Sequence, residues 1–215
     1  MVELWWSEAE RHGVLPLDDR GFELFAAVLS DRSPHRLDRR YVYRPPMSPI
    51  SSQPSAGIGG RAFDLTATVT CAADDQGAIW ATGNENSGAS VFVQNGRLCF
   101  DYNAFNDHTI VESDIEVPAG DVTLGVHMER DSRTTGWVEL SIDGQRCGRA
   151  EIPFYMRMVS SVGSSVGSDH GSAVSERYKA PFAYTGTLHE VVIQLPQRSS
   201  KSQDEANAAS EMARQ

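Results

Sequence analysis

No apolar run in the chain approaches the roughly 18 residues of a membrane-spanning helix. A basic segment followed by an apolar one is missing from the N-terminus, so no secretory leader is read. Basic charge is scarce: 19 Lys and Arg against 29 Asp and Glu give a net charge of −10, which excludes the basic footprint a nucleic-acid binder needs. Cysteine is scarce too. Cys71, Cys99 and Cys147 are widely spaced and form no CxxC pair, which argues against zinc and redox sites. They read as free, half-buried strand residues in a reducing compartment, and a cytoplasmic location is expected.

Catalytic patterns are missing as well. There is no GxxxxGK[ST], GxGxxG after a strand, or HExxH, and although Gly163-Ser164-Ser165-Val166-Gly167 spells GxSxG, its serines read as ordinary chemistry of a Gly-rich turn. The six histidines are scattered singly, with no two placed three to five residues apart. Asp74-Asp75 precedes Gln76-Gly77 and reads as a turn, because calcium needs several converging oxygens.

What the chain does have is short strands. In Phe63–Cys71 apolar residues alternate with Asp64, Thr66, Thr68 and Thr70, the period of a strand with one face buried. Further strands are predicted over 78–82, 90–94, 97–102, 109–112, 122–128, 137–142 and 146–152. Asn95-Gly96 and Asp143-Gly144 each join two of them as a two-residue hairpin. Arg40–Arg44 is a β-prone run cut by Pro45-Pro46, before a loop rich in Ser, Pro and Gly that reaches Gly60. Short strands between turn signals at near-regular spacing predict a mainly β, antiparallel β-sandwich over 41–196, for which 215 residues suffice.

The flanks differ from the sandwich. Residues 3–14 read as a short helix with a second helical piece over 22–29; together, residues 1–40 form a helical segment and linker. Trp5 and Trp6 on so short a helix imply a larger surface to pack against. Residues 197–215 are polar and small, and read as a disordered tail.

The closing stretch, Ser164 to Leu195, contains a Gly/Ser-rich turn, a polar loop, a Pro-fixed corner and a last strand that must return to pair with an early one. Asp169 and His170 lie there beside glycines that let a backbone approach a ligand. With Arg177 and Lys179 they are the candidates for contact with a partner or ligand. A hydrolase built on Asp169 and His170 would need a nucleophile, and the neighbouring serines read as turn residues instead. Trp80, Phe92, Tyr102, Phe105 and Trp137 could stack on sugar rings, although strand alternation places most of them in a core.

Separated motifs also carry a resemblance. Leu4-Trp5-Trp6 running on to Asp18-Asp19-Arg20 resembles the end of the catalytic domain of bacterial, notably actinobacterial, arylsulfatases. The stretch from Gly167-Ser168-Asp169-His170 through Tyr178-Lys179-Ala180-Pro181-Phe182 to Leu188 is similar to the segment closing the C-terminal domain of those enzymes. Tyr41–Met47 and Phe63–Val69 fall between them in matching order. The resemblance implies a concanavalin-A-like, jelly-roll sandwich that packs on a sulfatase catalytic domain, upstream in the same chain or in trans. It does not carry the activity. The formylglycine pattern C/S-x-P/A-x-R is not met at Cys71, Cys99 or Cys147. Asp18-Asp19 and Asp74-Asp75 do not match the family's metal pairs, so no cofactor is expected; calcium would belong to the absent catalytic domain. The expectation is therefore a non-catalytic arylsulfatase fragment, inactive alone as a sulfuric ester hydrolase. The alternative is a stand-alone carbohydrate-binding β-sandwich module, with no nucleic acid or membrane partner in either case.

Overall fold

A computed structural model describes residues 2–11, 40–52, 54–58, 61–132, 134–156 and 162–195. The chain divides into two compact units, 1–36 and 37–215. In the first, helix α1 spans Val2–Arg11, with Glu3 in its first turn and Arg11 in its last, both favourable to the helix dipole. Trp5 and Trp6 meet edge to face at 4.8 Å. The second helical piece (22–29) and the tail (197–215) lie outside the described residues.

Among its described residues the second unit holds eleven strands: β1 (Arg40–Tyr43), β2 (Phe63–Cys71), β3 (Gly77–Asn84), β4 (Ser87–Gln94), β5 (Arg97–Ala104), β6 (Asp107–Glu112), β7 (Gly120–Arg130), β8 (Gly136–Ile142), β9 (Gln145–Ile152), β10 (Ser164–Val166) and β11 (Thr187–Gln194). They form two antiparallel sheets, a six-stranded one ordered β1-β11-β2-β7-β8-β9 and a five-stranded one ordered β10-β3-β4-β5-β6. The antiparallel β-sandwich is therefore what the chain adopts. β11 inserts between β1 and β2, so the last strand does return to early partners.

Alternation decides which side chains meet between the sheets. Phe63, Leu65, Ala67 and Val69 of β2 share the inner face of the six-stranded sheet with Val122, Leu124, Val126 and Met128 of β7 and Val138, Leu140 and Ile142 of β8. From the other sheet come Ile79, Trp80, Val91, Val93, Leu98, Phe100 and Tyr102. Both expected hairpin turns form, with Asn95-Gly96 at φ 53° and 72° and Asp143-Gly144 at φ 50° and 77°. A third joins β5 to β6 through Phe105-Asn106, at φ 60° and 67°.

The stretch expected as a Gly/Ser-rich turn is instead a strand. β10 pairs with β3, and Ile50 exchanges backbone hydrogen bonds with Ser164 at 2.8 and 3.0 Å. Small residues are what allow it: a Cβ on Gly163 would lie 1.7 Å from the Ile50 carbonyl oxygen, and the Ser164 and Ser55 hydroxyls hydrogen-bond each other.

The five-stranded sheet is covered on both faces, and β3, β4 and β5 are buried almost throughout. Its inner face looks into the sandwich. Its outer face lies under the strap (167–186) between β10 and β11, where Ala78, Phe92 and Cys99 pack with Tyr178, Ala173 and Phe182.

Candidate functional site

The strap brings Asp169, His170, Arg177 and Lys179 to this outer face, in quite different roles. Asp169 is 1 % exposed. Its Oδ2 accepts the Val174 N–H at 2.8 Å and the Tyr178 hydroxyl at 2.7 Å. Because that proton is committed to Asp169, Ser90 must donate to the Tyr178 oxygen, 2.7 Å away. Burial raises the Asp169 carboxyl above its usual range, against the two hydrogen bonds. His170 is half-buried; its N–H reaches Ser165 Oγ at 3.4 Å, and its Nδ1 meets no hydrogen-bond partner among the described residues. Arg177 is exposed and pairs with Glu112 at 3.3 Å, while its carbonyl accepts from Gln94 at 3.0 Å. Lys179 is exposed.

A second buried carboxylate lies under the strap. Asp101 is fully buried, and both its oxygens hydrogen-bond His108 Nδ1, at 3.0 and 2.9 Å. Burial raises its carboxyl, while hydrogen bonds from Ser175 and His108 oppose the shift. Asn103, also fully buried, donates to the Glu85 and Val174 carbonyls at 2.8 and 3.0 Å. Sequence reasoning missed Asp101, His108, Ser90 and Tyr178. The available signal was polar residues alternating along β5, which looked like a solvent face because the covering strap is remote in sequence.

The outer face of the six-stranded sheet is open and polar. Asp64 hydrogen-bonds His127 at 2.6 Å, and His127 lies 5.1 Å from the Trp137 ring. The Arg149 guanidinium sits 4.0 Å over that ring. Further along, the Thr70 hydroxyl donates to Asp121 at 2.6 Å and sits 2.7 Å from His189 Nε2. With its one proton given to Asp121, the Thr70 hydroxyl can only accept from His189, so His189 is the donor to Thr70. That is the reverse of a histidine activating a hydroxyl nucleophile.

The aromatic candidates separate. Trp80, Phe92 and Tyr102 are at most 1 % exposed and belong to packing, Trp137 is half-buried on the open face, and Phe105 is 68 % exposed. Trp5 and Trp6 of α1 are exposed. Asp75 ties a turn together, accepting the Ala72 N–H at 2.6 Å and the Thr185 hydroxyl at 2.8 Å, and both bonds lower its carboxyl. The three cysteines are free and buried, and burial and Glu112 push the Cys99 thiol up to about 12. Among the described residues no three His, Cys, Asp or Glu side chains are grouped to hold a metal ion, and no helix is long and apolar enough to cross a membrane.

Fold and surface together define a two-sheet antiparallel β-sandwich with one covered and one open outer face. In particular, the chain is similar to the CBM40 of Ruminococcus gnavus IT-sialidase bound to α2,3-sialyllactose, at 9 % identity over 79 % of this chain and 97 % of that one, with a TM-score of 0.52. The same CBM40 in a further structure matches at 11 % identity over 79 % and 98 % of the two chains, with a TM-score of 0.50. The NanB sialidase of Streptococcus pneumoniae matches at 11 % identity and TM-score 0.50 over 78 % of this chain, which spans only 27 % of that enzyme. Identities this low establish the fold and nothing finer. No protein-family model matches the chain, and no curated protein does.

These likenesses correct the arylsulfatase expectation. The solved structures named above are a sialidase carbohydrate-binding module and a sialidase, not sulfatase C-terminal domains. The arylsulfatase fragment, its sulfuric ester hydrolase family and its sulfatase partner domain are therefore set aside. The physical reason lies in the motifs themselves. Phe63–Val69 is the inward–outward alternation of β2, and Gly167–Leu188 is the strap with the start of β11. Both patterns answer to packing within a sandwich, so they mark an architecture and not a lineage.

Proposed function

We propose that the chain is a non-catalytic carbohydrate-binding β-sandwich module. The observation that carries this reading is the fold shared with a CBM40 over 97 % of its length, in a structure where that module holds sialyllactose. The chain's own chemistry agrees with it. The hydrogen-bond direction at Thr70 is wrong for nucleophilic catalysis, and Asp169 is buried beneath the strap. Open surface is lined with the hydroxyl, amide and carboxylate groups that recognise sugar hydroxyls, alongside exposed or half-buried aromatic rings.

The test is titration calorimetry of the full chain against a panel of neutral oligosaccharides and α2,3- and α2,6-sialyllactose. Saturable binding with a Kd of about 1 mM or tighter is the expected result. No saturable binding to any member of the panel would overturn the reading.

A further inference from the structure

The turn between β5 and β6 carries a residue that its backbone disfavours. Ala104 pairs with Asp107, leaving Phe105 and Asn106 as a two-residue turn with φ of 60° and 67°. The other two turns of this kind use Asn-Gly and Asp-Gly, which tolerate positive φ. Phenylalanine gains nothing there from its own backbone. Burial does not offset the strain either, since the ring is 68 % exposed.

Yet the turn is firmly braced. Asn103, fully buried at the end of β5, accepts the Asn106 N–H at 2.9 Å. Its amide donates to the Glu85 carbonyl at 2.8 Å and to the strap carbonyl of Val174 at 3.0 Å. Glu85 in turn donates its N–H to Ser172 Oγ at 3.3 Å. A single buried amide therefore joins both hairpin tips to the strap. The ring thus stands on a braced tip, and the same hydrogen bonds tie that tip to the Glu85-Asn86 tip and to Ser172 of the strap, where Asn86 and Asn106 are exposed and Ser172 is half-buried.

We infer that Phe105 is a stacking platform for a neutral pyranose unit, with Asn86, Asn106 and Ser172 placed to meet its hydroxyls; this rests on the carbohydrate-binding reading above. The C–H face of a pyranose is apolar and flat enough to lie on a phenyl ring, and a braced ring loses little freedom when it is covered. Charge selects the class of sugar. Glu85 and Asp107 are exposed at the two tips, and neither 84–87 nor 103–107 contains a Lys or Arg. A sugar bearing a carboxylate meets repulsion there, and a neutral one does not.

Phe105→Asn in the full chain separates function from stability. Asparagine suits the positive φ, so the variant should melt about 2–4 °C higher. In calorimetry against lactose, cellobiose and maltotriose, with α2,3-sialyllactose alongside, it should bind neutral sugar at least about tenfold more weakly than the wild type. Phe105→Ala should lose the same binding. A lower melting temperature for Phe105→Asn would make the ring structural and overturn the inference. Unchanged neutral-sugar binding in the variants, or binding confined to sialyllactose, would overturn this inference alone. Wild-type chain that binds no glycan would overturn the carbohydrate reading, and this one with it.

Discussion

At the scale of single residues, the strap is held by protons with fixed directions. Tyr178 donates to Asp169 and accepts from Ser90, so its one hydroxyl satisfies a buried carboxylate and a buried serine together. Tyr178→Phe keeps the ring stacked on Phe182 at 4.6 Å but strips a donor from Asp169. A loss of about 2 kcal/mol is expected, read as a melting temperature lower by about 4–8 °C; no change would show the hydroxyl to be dispensable. Asp101 and Asp169 are both raised by burial, so each costs stability as pH rises through its raised folded value. His127 acts in a higher window. Its hydrogen bond to Asp64 raises it above 6.5, so its contribution is complete below that value and is lost as pH climbs through the raised folded one. The pair is partly exposed, so the effect is below about 1 kcal/mol. The melting temperature of wild type should therefore decline with pH across this window more steeply than that of Asp64→Asn. Parallel slopes would remove His127 from the account.

At the scale of elements, the strap is a layer of its own. Phe92 is fully buried between the sheet and the rings of Tyr178 at 5.1 Å and Phe182 at 6.2 Å. Phe92→Ala removes the floor of that cluster and should cost about 3–5 kcal/mol. The loss should appear first as faster amide exchange in 168–182, ahead of β7 and β8; uniform acceleration would mean that strap and sandwich are one cooperative unit. The same layer explains what the sequence could and could not disclose. β2 was legible to the residue, because alternation reports directly on a face that is half buried. The Asn95-Gly96 and Asp143-Gly144 hairpins were legible because their turns use residues suited to positive φ. β10 was hidden, since Gly163 and Ser164 permit close approach to Ile50 and read as a turn. The Phe105-Asn106 turn was hidden for the opposite reason: its first residue is the wrong one for its conformation. Asp101 looked like a surface residue because the chain that covers it arrives some seventy positions later, as Ser175 shows by its hydrogen bond.

At the scale of the whole molecule, the decisive property is the net charge of −10. An excess of this size sets a field that every approaching glycan meets before any contact forms. Arg177 does little to relieve it locally, being paired with Glu112, and Arg146 is likewise paired with Glu139 at 2.9 Å. A neutral oligosaccharide is indifferent to that field, whereas sialyllactose carries a carboxylate into it. The screening length shrinks from ~30 Å at 0.01 M salt to ~3 Å at 1 M. The affinity of the full chain for lactose should therefore stay level across that range. Its affinity for α2,3-sialyllactose should begin weaker and rise towards the lactose value as salt is added, because added ions remove only the repulsive part. Parallel calorimetric titrations at several salt concentrations read both trends. Sialyllactose that binds more tightly at low salt would require a cationic subsite, and would move the glycan from the acidic hairpin tips to the neighbourhood of Lys179 or Arg149.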